Sequence, residues 1–379
     1  ISYLKLRTSY TEVGSPITQT GITPGTVTDP MSGGVINPIS TYPYPDFKPE
    51  RTKSYEVGIN ARFLNGRISF DGTFYQSNTY NQTFLSVMSP ATGYSGFYVQ
   101  AGNVRNRGVE MTLGYNDTFG KVNYSTHLTY TANQNKIVEM VHDYRNPIDN
   151  SLVNITELTL KEVGDVYLRE GYSMSDVFTT GILQRGRDGK LVEEGNGYQV
   201  DRSQRIRLGS ADPDFTMGCS NTLTYKNLEL YFLIDFRFGG EVMSLTQSEL
   251  DANGVTKVTE DARARGYVEY QGQKFNDPRA FYSAVGGRNA ISEYYMYDAT
   301  CIRLREVSLS YSFPKTILEN SRFIKGIDVS LAARNLCFLK KEAPFDPDAV
   351  MSVGNNNQGV DVFGMPTTRN IGFNLRFTF

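Results

Sequence analysis

The feature that most constrains the fold of this chain is the regular alternation of apolar and polar residues along it. The alternation is cleanest from Asn370 to Phe379 and recurs from Leu228 to Phe238. Successive side chains of an extended strand point to opposite faces of the sheet. A period of two therefore predicts β-strands that each have one apolar face and one polar face.

The length of these segments and the spacing between them favour a membrane barrel over a water-soluble sandwich. About ten to twelve segments alternate, each near the ~9–11 residues that a tilted strand needs to cross a bilayer. Charged residues lie in mid-strand, and aromatic residues lie near the strand ends. Short turns such as Leu64–Gly66 alternate with long connections, which are predicted at 12–52, 133–166, 181–213, 239–300 and 338–367. We therefore predict an all-β fold, a transmembrane antiparallel β-barrel with apolar side chains facing lipid and polar ones lining the lumen.

The composition excludes several other classes of protein. The longest unbroken apolar run is Leu230–Ile234, far shorter than the roughly 20 residues of a spanning helix. Lys+Arg (38) nearly balances Asp+Glu (40), which gives no electrostatic reason to expect nucleic-acid binding. The three cysteines are an odd number without metal-ligand spacing, so neither a disulfide framework nor a zinc site is indicated.

Three segments in the last quarter of the chain carry a family resemblance. Residues 297–315, YDATCIRLREVSLSYSFPK, place an acidic residue before an RL-x-x-V-x-L-x-Y-x-x-P run. Residues 334–348 read RNLCFLKKEAPFDPD, and the chain ends in MPTTRNIGFNLRFTF. Together with the segments 47–77, 103–115 and 211–230, they resemble the C-terminal barrel of SusC/RagA-type TonB-dependent outer-membrane transporters.

The resemblance runs from Leu4 to Phe379 and implies that residues 1–379 are the C-terminal part of such a barrel. Large transporters of this type have 22 strands around a plugged lumen, so we expect about half of the wall here. Nothing in the sequence resembles the plug, the TonB box or the N-terminal extension, and we therefore expect a fragment. The terminal Phe379, preceded by alternating apolar residues, resembles the signal that the barrel assembly machinery reads.

The function implied by the resemblance is nutrient import across the outer membrane of a Gram-negative, Bacteroidetes-like bacterium. The solute would be a glycan or an oligopeptide, a SusD-like lipoprotein would form a lid, and TonB would supply energy through the plug. Outer-membrane lipids and lipopolysaccharide would surround the barrel, and neither an enzymatic activity nor a cofactor is implied. Two alternatives stay open: a self-contained passive porin or autotransporter-like channel, and a hydrolase that uses His127 beside Ser125.

Basic residues and loop aromatics are the candidates for contact with the solute. Arg237 and Arg334 lie on polar strand faces, whereas Arg303 and Arg305 share the register of Val307 and are predicted to lie above the lipid band. Loop aromatics can stack on sugar rings or simply pack the loop. The candidate residues are Tyr42, Tyr44, Phe47, Arg237, Arg303, Arg305 and Arg334.

Two further groups of residues allow more than one interpretation. Tyr294, Tyr295 and Tyr297 precede a predicted strand, where an interfacial aromatic girdle, a sugar platform and simple packing are all consistent with the sequence. The sequences Asp346-Pro-Asp348 and Asp212-Pro-Asp214 offer oxygen ligands for calcium. They equally suit the start of a turn, which is the interpretation we favour.

Overall fold

The structure is a computed structural model that describes residues 1–16, 26–29, 35–38, 41–42, 47–145, 151–159, 167–194, 197–288, 290–318, 323–350 and 358–379. Within these ranges, ten long strands pair in chain order in one antiparallel sheet, which we call the wall. The wall strands are β1 Tyr3–Ser15, β2 Glu50–Phe63, β3 Ile68–Tyr80, β4 Asn103–Phe119, β5 Val122–Glu139, β6 Phe215–Tyr225, β7 Leu228–Phe238, β8 Cys301–Ser312, β9 Gly326–Lys341 and β10 Asn370–Thr378. The up-and-down antiparallel order is the one that the alternation predicts.

Long connections all leave the same end of the wall, which we call the upper end. The stretch between β5 and β6 is one connection of the chain, so the prediction of two loops at 133–166 and 181–213 is wrong. The described strands between Glu139 and Phe215 have only two to five residues and pair with one another, which makes them too short to cross a bilayer. The connection between β3 and β4, at 81–102, is a further long one that the alternation did not predict.

The connections contain short strands. They are Thr26–Asp29, Val35–Pro38, Thr41–Tyr42, Gln82–Val87, Gly96–Ala101, Val141–Arg145, Leu152–Ile155, Glu157–Thr159, Tyr167–Arg169, Asp176–Phe178, Ile182–Leu183, Glu193–Glu194, Gly197–Tyr198, Val200–Asp201, Arg207–Ser210, Glu241–Ser244, Val268–Tyr270, Gln273–Phe275, Met296–Asp298 and Val360–Asp361. Each lies outside the wall, in a separate small sheet of two or three strands. The upper end of the wall is therefore covered by folded segments.

The connection between β7 and β8 contains three helices, α1 Leu245–Ala252, α2 Lys257–Arg265 and α3 Pro278–Val285. The first two occupy the stretch from Leu245 to Arg265 where the sequence suggested a short helix. Each helix starts with a capping side chain, because Ser244, Thr256 and Asp277 accept hydrogen bonds from main-chain N–H groups of the first turn. None of the helices in the described ranges has both the length and the apolar character needed to span a membrane.

Tight turns join the strands at the lower end of the wall. Leu64–Gly66 links β2 to β3, and Lys226 with Asn227 links β6 to β7. Asn65 and Lys226 adopt positive φ angles of 55° and 53°, as the sharp reversal of the chain requires. The longer lower connection between β8 and β9 contains a short helix, α4 Lys315–Leu318.

The register of the wall aligns apolar side chains in rows across neighbouring strands. One row, in which each residue stands opposite the next, consists of Leu223, Leu230, Leu309, Leu331 and Phe373. These side chains are partly exposed, with Leu331 at 54% and Phe373 at 65%. A continuous apolar surface of this kind suits contact with lipid. Segments of the upper connections pack on the opposite, polar face.

This assignment of faces can be tested with two adjacent residues of β8. Val307 stands opposite Phe232 on the apolar face, and Ser308 stands opposite Tyr231 on the polar face. We expect Val307→Arg to lower the free energy of unfolding in lipid bilayers by about 2–4 kcal/mol, the usual cost of a cation near the bilayer midplane. Ser308→Arg is the matched control and should cost far less. Equal losses in a urea titration would show that the faces are assigned incorrectly.

Candidate functional site

A β-bulge in β8 reorients the arginines at the upper end of the wall. Glu306 stands opposite Leu233 of β7, but the next pair is Leu304 with Ile234, so Arg305 is an extra residue without a partner on β7. An insertion of one residue transfers the side chains beyond it to the other face of the sheet. Arg303 therefore stands opposite Asp235 on the polar face. The prediction that Arg303 and Arg305 share the register of Val307 is wrong.

Three arginines and three aspartates meet at this place, and we call them the arginine–aspartate cluster. Its members are Arg237, Arg303, Arg305, Asp235, Asp346 and Asp348. Arg303 is 2% exposed, and its Nη2 donates to Asp348 Oδ2 at 2.5 Å. Arg305 Nη2 donates to Asp235 Oδ2 at 2.6 Å and also lies 3.6 Å from Asp348 Oδ2. The opposite charges balance within the cluster, as burial of charge requires.

Arg237 completes the cluster from β7 and connects it to a second loop. Its Nη1 lies 3.8 Å from Asp348 Oδ1, while its Nη2 donates to the carbonyl oxygen of Ala211 at 2.8 Å. The guanidinium of Arg303 also stacks 4.7 Å from the ring centre of Phe338 on β9. The cluster thus holds the segment at 342–350 and the segment at Ala211 against the polar face of the wall.

The sequence Asp346-Pro-Asp348 forms the turn that delivers two of these carboxylates. Asp346 Oδ1 accepts from the main-chain N–H of Asp348 at 3.1 Å, and the Asp346 carbonyl accepts from Ala349 N–H at 3.0 Å. Thr367 Oγ1 donates to the other carboxylate oxygen of Asp346. The cation beside these carboxylates is a guanidinium. Among the described residues, no group of three or more His, Cys, Asp or Glu side chains is arranged to hold a metal ion.

The remaining basic candidate, Arg334, lies outside this cluster. It stands opposite Glu306 on the polar face, with Nε 3.6 Å from Glu306 Oε2, and its side chain is 67% exposed. A similar but better formed pair lies on the first strands, where Arg7 Nη1 donates to Asp71 Oδ2 at 2.8 Å. Ion pairs of this kind thus occur at more than one place on the polar face. Because its side chain is largely exposed, Arg334 is an accessible lining residue of that face.

The loop aromatics lie in a different place from the arginines. Tyr42 makes an edge contact with Tyr94, the ring centres 5.1 Å apart, and Phe47 makes one with Tyr98 at 5.8 Å. Tyr44 lies outside the described residues. The structure therefore brings Arg237, Arg303 and Arg305 together and places Tyr42 and Phe47 against aromatic neighbours of the 81–102 connection.

The tyrosines at 294, 295 and 297 belong to the core of the helical connection. Tyr295 is fully buried, and Tyr294 makes edge contacts with Phe281 and Tyr295 at 5.4 and 4.9 Å. Burial raises the pKa of Tyr297 to about 12. These rings pack a loop, as one of the three interpretations predicted, and Tyr295 offers no surface for a sugar.

A polar cleft of about 580 Å³ lies beside the upper part of β5. Its lining combines side-chain amides with charges of both signs. The lining residues are Asn133, Gln134, Asn135, Lys136, Gly171, Tyr172, Ser173, Asp176, Arg207, Ser210, Asp212, Pro213 and Asp214. No sequence motif marks this cleft, because its residues come from β5 and from two parts of the 140–214 connection.

The cleft exists because the pairing between β5 and β6 ends at Thr131. Above that point, Ile137 exchanges main-chain hydrogen bonds with Gly171 and Tyr172, both at 2.8 Å. Main-chain groups of alternate residues point to the same side of a strand. The main-chain N–H and C=O groups of Ile137 point to the edge of β5 that faces Gly171 and Tyr172. Those of Asn133 and Asn135 point to the same edge and therefore face the cleft.

Fixed charges form the far side of the cleft. Arg207 donates to both carboxylate oxygens of Asp176, at 2.9 and 3.0 Å, and these hydrogen bonds raise the pKa of the guanidinium above its ordinary value. Asp212 accepts from Ser173 Oγ at 2.9 Å. Asn135 Oδ1 accepts from the main-chain N–H of Met174 at 2.8 Å, which fixes the loop against the wall. The arrangement offers directional donors and acceptors to a polar solute.

The geometry around His127 does not support the hydrolase alternative. Ser125 Oγ lies 3.5 Å from His127 Nε2, at the limit of a hydrogen bond. No described carboxylate pairs with this ring, although a nucleophile–base pair needs a third group to orient the base. His127 is an exposed residue of the polar face.

The contribution of the buried arginine can be measured locally. Arg303→Gln leaves the nearly buried Asp346 without its guanidinium, and removing one member of a buried ion pair costs about 3–5 kcal/mol. We expect the free energy of local opening at Asp348 and Ala349 to fall by on the order of 3 kcal/mol, measured by amide hydrogen exchange. Arg334→Gln removes an exposed ion pair and should change it by less than about 1 kcal/mol. Unchanged protection in the Arg303 variant would contradict this role.

Comparisons with known proteins agree with the fold described above. Residues 1–235 match the family described as TonB dependent receptor-like, beta-barrel. The TonB-dependent receptor P3 of Formosa agariphila is 24% identical over 410 residues, covering 100% of this chain and 40% of that protein. The TonB-dependent receptor SusC of Bacteroides thetaiotaomicron is 22% identical, covering 82% of this chain and 31% of that protein. The chain thus spans two fifths or less of the length of these curated relatives.

A solved structure shows the same architecture. The RagAB peptide importer in its closed-closed state superposes with a TM-score of 0.70 at 17% identity, covering 99% of this chain and 41% of that chain. The wall is accordingly part of a transmembrane antiparallel β-barrel, as the alternation predicted, and the family resemblance drawn from the motifs is confirmed. Proteins of this family are outer-membrane transporters and receptors, not enzymes in general. This chain belongs to the TonB-dependent receptor-like β-barrel family.

Proposed function

We propose that the protein containing this chain imports a large polar nutrient, a glycan or an oligopeptide, across a Gram-negative outer membrane. Energy would come from TonB, acting through a plug inside the barrel. Family membership supports the TonB dependence. Similarity to SusC and the shared fold with the RagAB peptide importer support the choice of nutrient classes.

The observation that carries the proposal is the polar cleft beside β5. Main-chain groups of Asn133 and Asn135 face it, and Asp176, Arg207 and Asp212 supply charged groups on the opposite side. Both peptides and glycans present many hydrogen-bond donors and acceptors, and a cleft lined by polar groups gains affinity by pairing them. An apolar solute would leave these groups unpaired.

The lid partner would dock on the upper end of the wall. The long connections all leave this end, and the arginine–aspartate cluster holds two of them against the barrel face. A SusD-like surface lipoprotein is the partner that we propose for this surface. Support comes from the similarity to SusC and from the hydrophobic core that packs the connection between β7 and β8.

A block in the cleft tests the proposed import route. Asn133→Trp introduces a bulky side chain at the cleft, and we expect uptake of a fluorescent oligopeptide or oligosaccharide to fall at least about tenfold. If the fall in uptake reflects weaker binding of the solute, a factor of ten corresponds to a loss of roughly 1.4 kcal/mol in binding free energy. Asn123→Trp is the control, because Asn123 lies on the same strand and face near the lower end, where it accepts from Thr118 Oγ1. Equal uptake by both variants, at equal amounts in the membrane, would contradict the proposal.

Energy dependence separates import from the passive alternative. We expect uptake by the full-length protein to stop when TonB is deleted, because TonB would supply the energy for import through the plug. The measurement compares solute accumulation in cells with and without TonB, while ion conductance is recorded in planar bilayers. Undiminished uptake without TonB, together with a steady open conductance, would favour the passive porin.

A further inference from the structure

The part of β5 that borders the cleft has an unpaired strand edge. Pairing with β6 ends at Thr131, and the next residue that makes main-chain hydrogen bonds on this side is Ile137, with Gly171 and Tyr172. Among the described residues, none forms a main-chain hydrogen bond with this edge at 132–136. An unpaired edge presents a row of N–H and C=O groups to any extended chain that reaches it.

The groups on this edge have the spacing of a peptide main chain. Each residue of a strand adds about 3.3 Å, so the main-chain groups of Asn133 and Asn135 lie about 6.6 Å apart. An extended peptide repeats its own N–H and C=O groups with the same period, and both asparagines can therefore be matched at once. A glycan has no main chain that repeats these groups. The edge therefore favours a peptide.

The side chains beside the edge are already engaged within the protein. The Nδ2 atoms of Asn133 and Asn135 both donate to Asn106 Oδ1, at 3.3 and 3.0 Å. Their Oδ1 atoms accept hydrogen bonds at 3.0 and 2.8 Å. Gln134 Oε1 accepts from Arg107 at 2.6 and 2.8 Å. What these residues leave for a ligand is mainly the main chain of β5, which can bind peptides of many different sequences.

The opening beside the edge is closed at both ends. Thr131 stands opposite Thr216 at the lower end, and Ile137 is bonded to Tyr172 at the upper end. A chain that pairs with the edge between these limits is therefore only about five residues long. A strand of a folded partner continues beyond its paired residues and would meet the closed ends. A short free peptide is the occupant that fits.

The charges of the cleft suit the two termini of such a peptide. Lys136 and Arg207 contribute cations to the lining, and Asp212 and Asp214 contribute carboxylates. A free peptide carries an ammonium group at one end and a carboxylate at the other, so each terminus has a group of opposite charge in the cleft.

We propose that the edge of β5 at 132–136 binds the main chain of a short oligopeptide as an added strand. The N–H groups of Asn133 and Asn135 donate to peptide carbonyls, and their C=O groups accept from peptide N–H groups. This inference rests on the proposed function and narrows its solute from a glycan or an oligopeptide to an oligopeptide.

The test uses the purified full-length protein and penta-alanine as the probe, with the affinity measured by isothermal titration calorimetry. Proline has no N–H, and at position 133 it removes a donor that faces the cleft, whereas Ala132 and Gln134 carry the N–H groups that pair with β4. We expect Asn133→Pro to bind penta-alanine about tenfold more weakly than Asn133→Ala, which loses the same side chain but keeps the N–H. Equal affinities of the two variants would overturn the proposal.

Measurements on the wild-type protein keep the proposal testable if the proline variant folds poorly. Penta-alanine with a methyl group on every peptide nitrogen should bind about tenfold more weakly than penta-alanine, because its peptide bonds have no N–H to donate. Maltopentaose should also bind about tenfold more weakly. Undiminished binding of either compound would overturn the proposal.

The same probes separate this inference from the proposed import function. Binding of maltopentaose but not penta-alanine, together with reduced uptake of an oligosaccharide by Asn133→Trp, would overturn the added strand and leave the import function standing. Undiminished uptake without TonB would instead overturn the import function, whatever the result of the calorimetry.

Discussion

The constraint on which this structure depends is that main-chain hydrogen bonds inside a membrane must be made within the protein. Lipid offers no partner for an N–H or C=O group, so a strand can cross only when both of its edges are paired. Within the described residues, β2 to β9 satisfy this requirement because each pairs with a neighbour on both edges, whereas β1 and β10 are the two ends of the ladder and pair on one edge. Where the pairing between β5 and β6 stops, above Thr131, a cleft opens.

The bulge at Arg305 shows how a local irregularity changes what the wall can do. Without it, the guanidinium of Arg303 would point toward lipid, where an unpaired cation is costly. With it, Arg303 reaches Asp348 at 2.5 Å and the loop is fixed over the polar face. Arginines that looked like contacts for a solute thus act mainly as anchors for the connections above the wall. The anchored segments are the one at 342–350 and the one at Ala211, which adjoins the cleft residue Asp212.

The two faces of the wall divide the charged residues according to their partners. On the polar face, pairs such as Arg7 with Asp71 balance each other within the protein. On the outer face, Arg105 and Lys136 stand directly opposite each other near the upper end of the wall. The same alternation that produces an apolar surface in the membrane thus produces two differently charged surfaces above it.

The sequence by itself determined the long strands, their two faces outside the bulged end of β8, and the presence of short turns at one end and long connections at the other, because a period of two is a local property of the chain. Its motifs also identified the family, and the alternation placed Arg237 and Arg334 on the polar face. It could not reveal the bulge, since an extra residue becomes visible only against the register of the neighbouring strand. For the same reason it missed the cleft, which unites Asn133 with Arg207, and it divided the single connection between β5 and β6 into two. Tertiary structure decided these features, because each depends on distances between residues far apart in the chain.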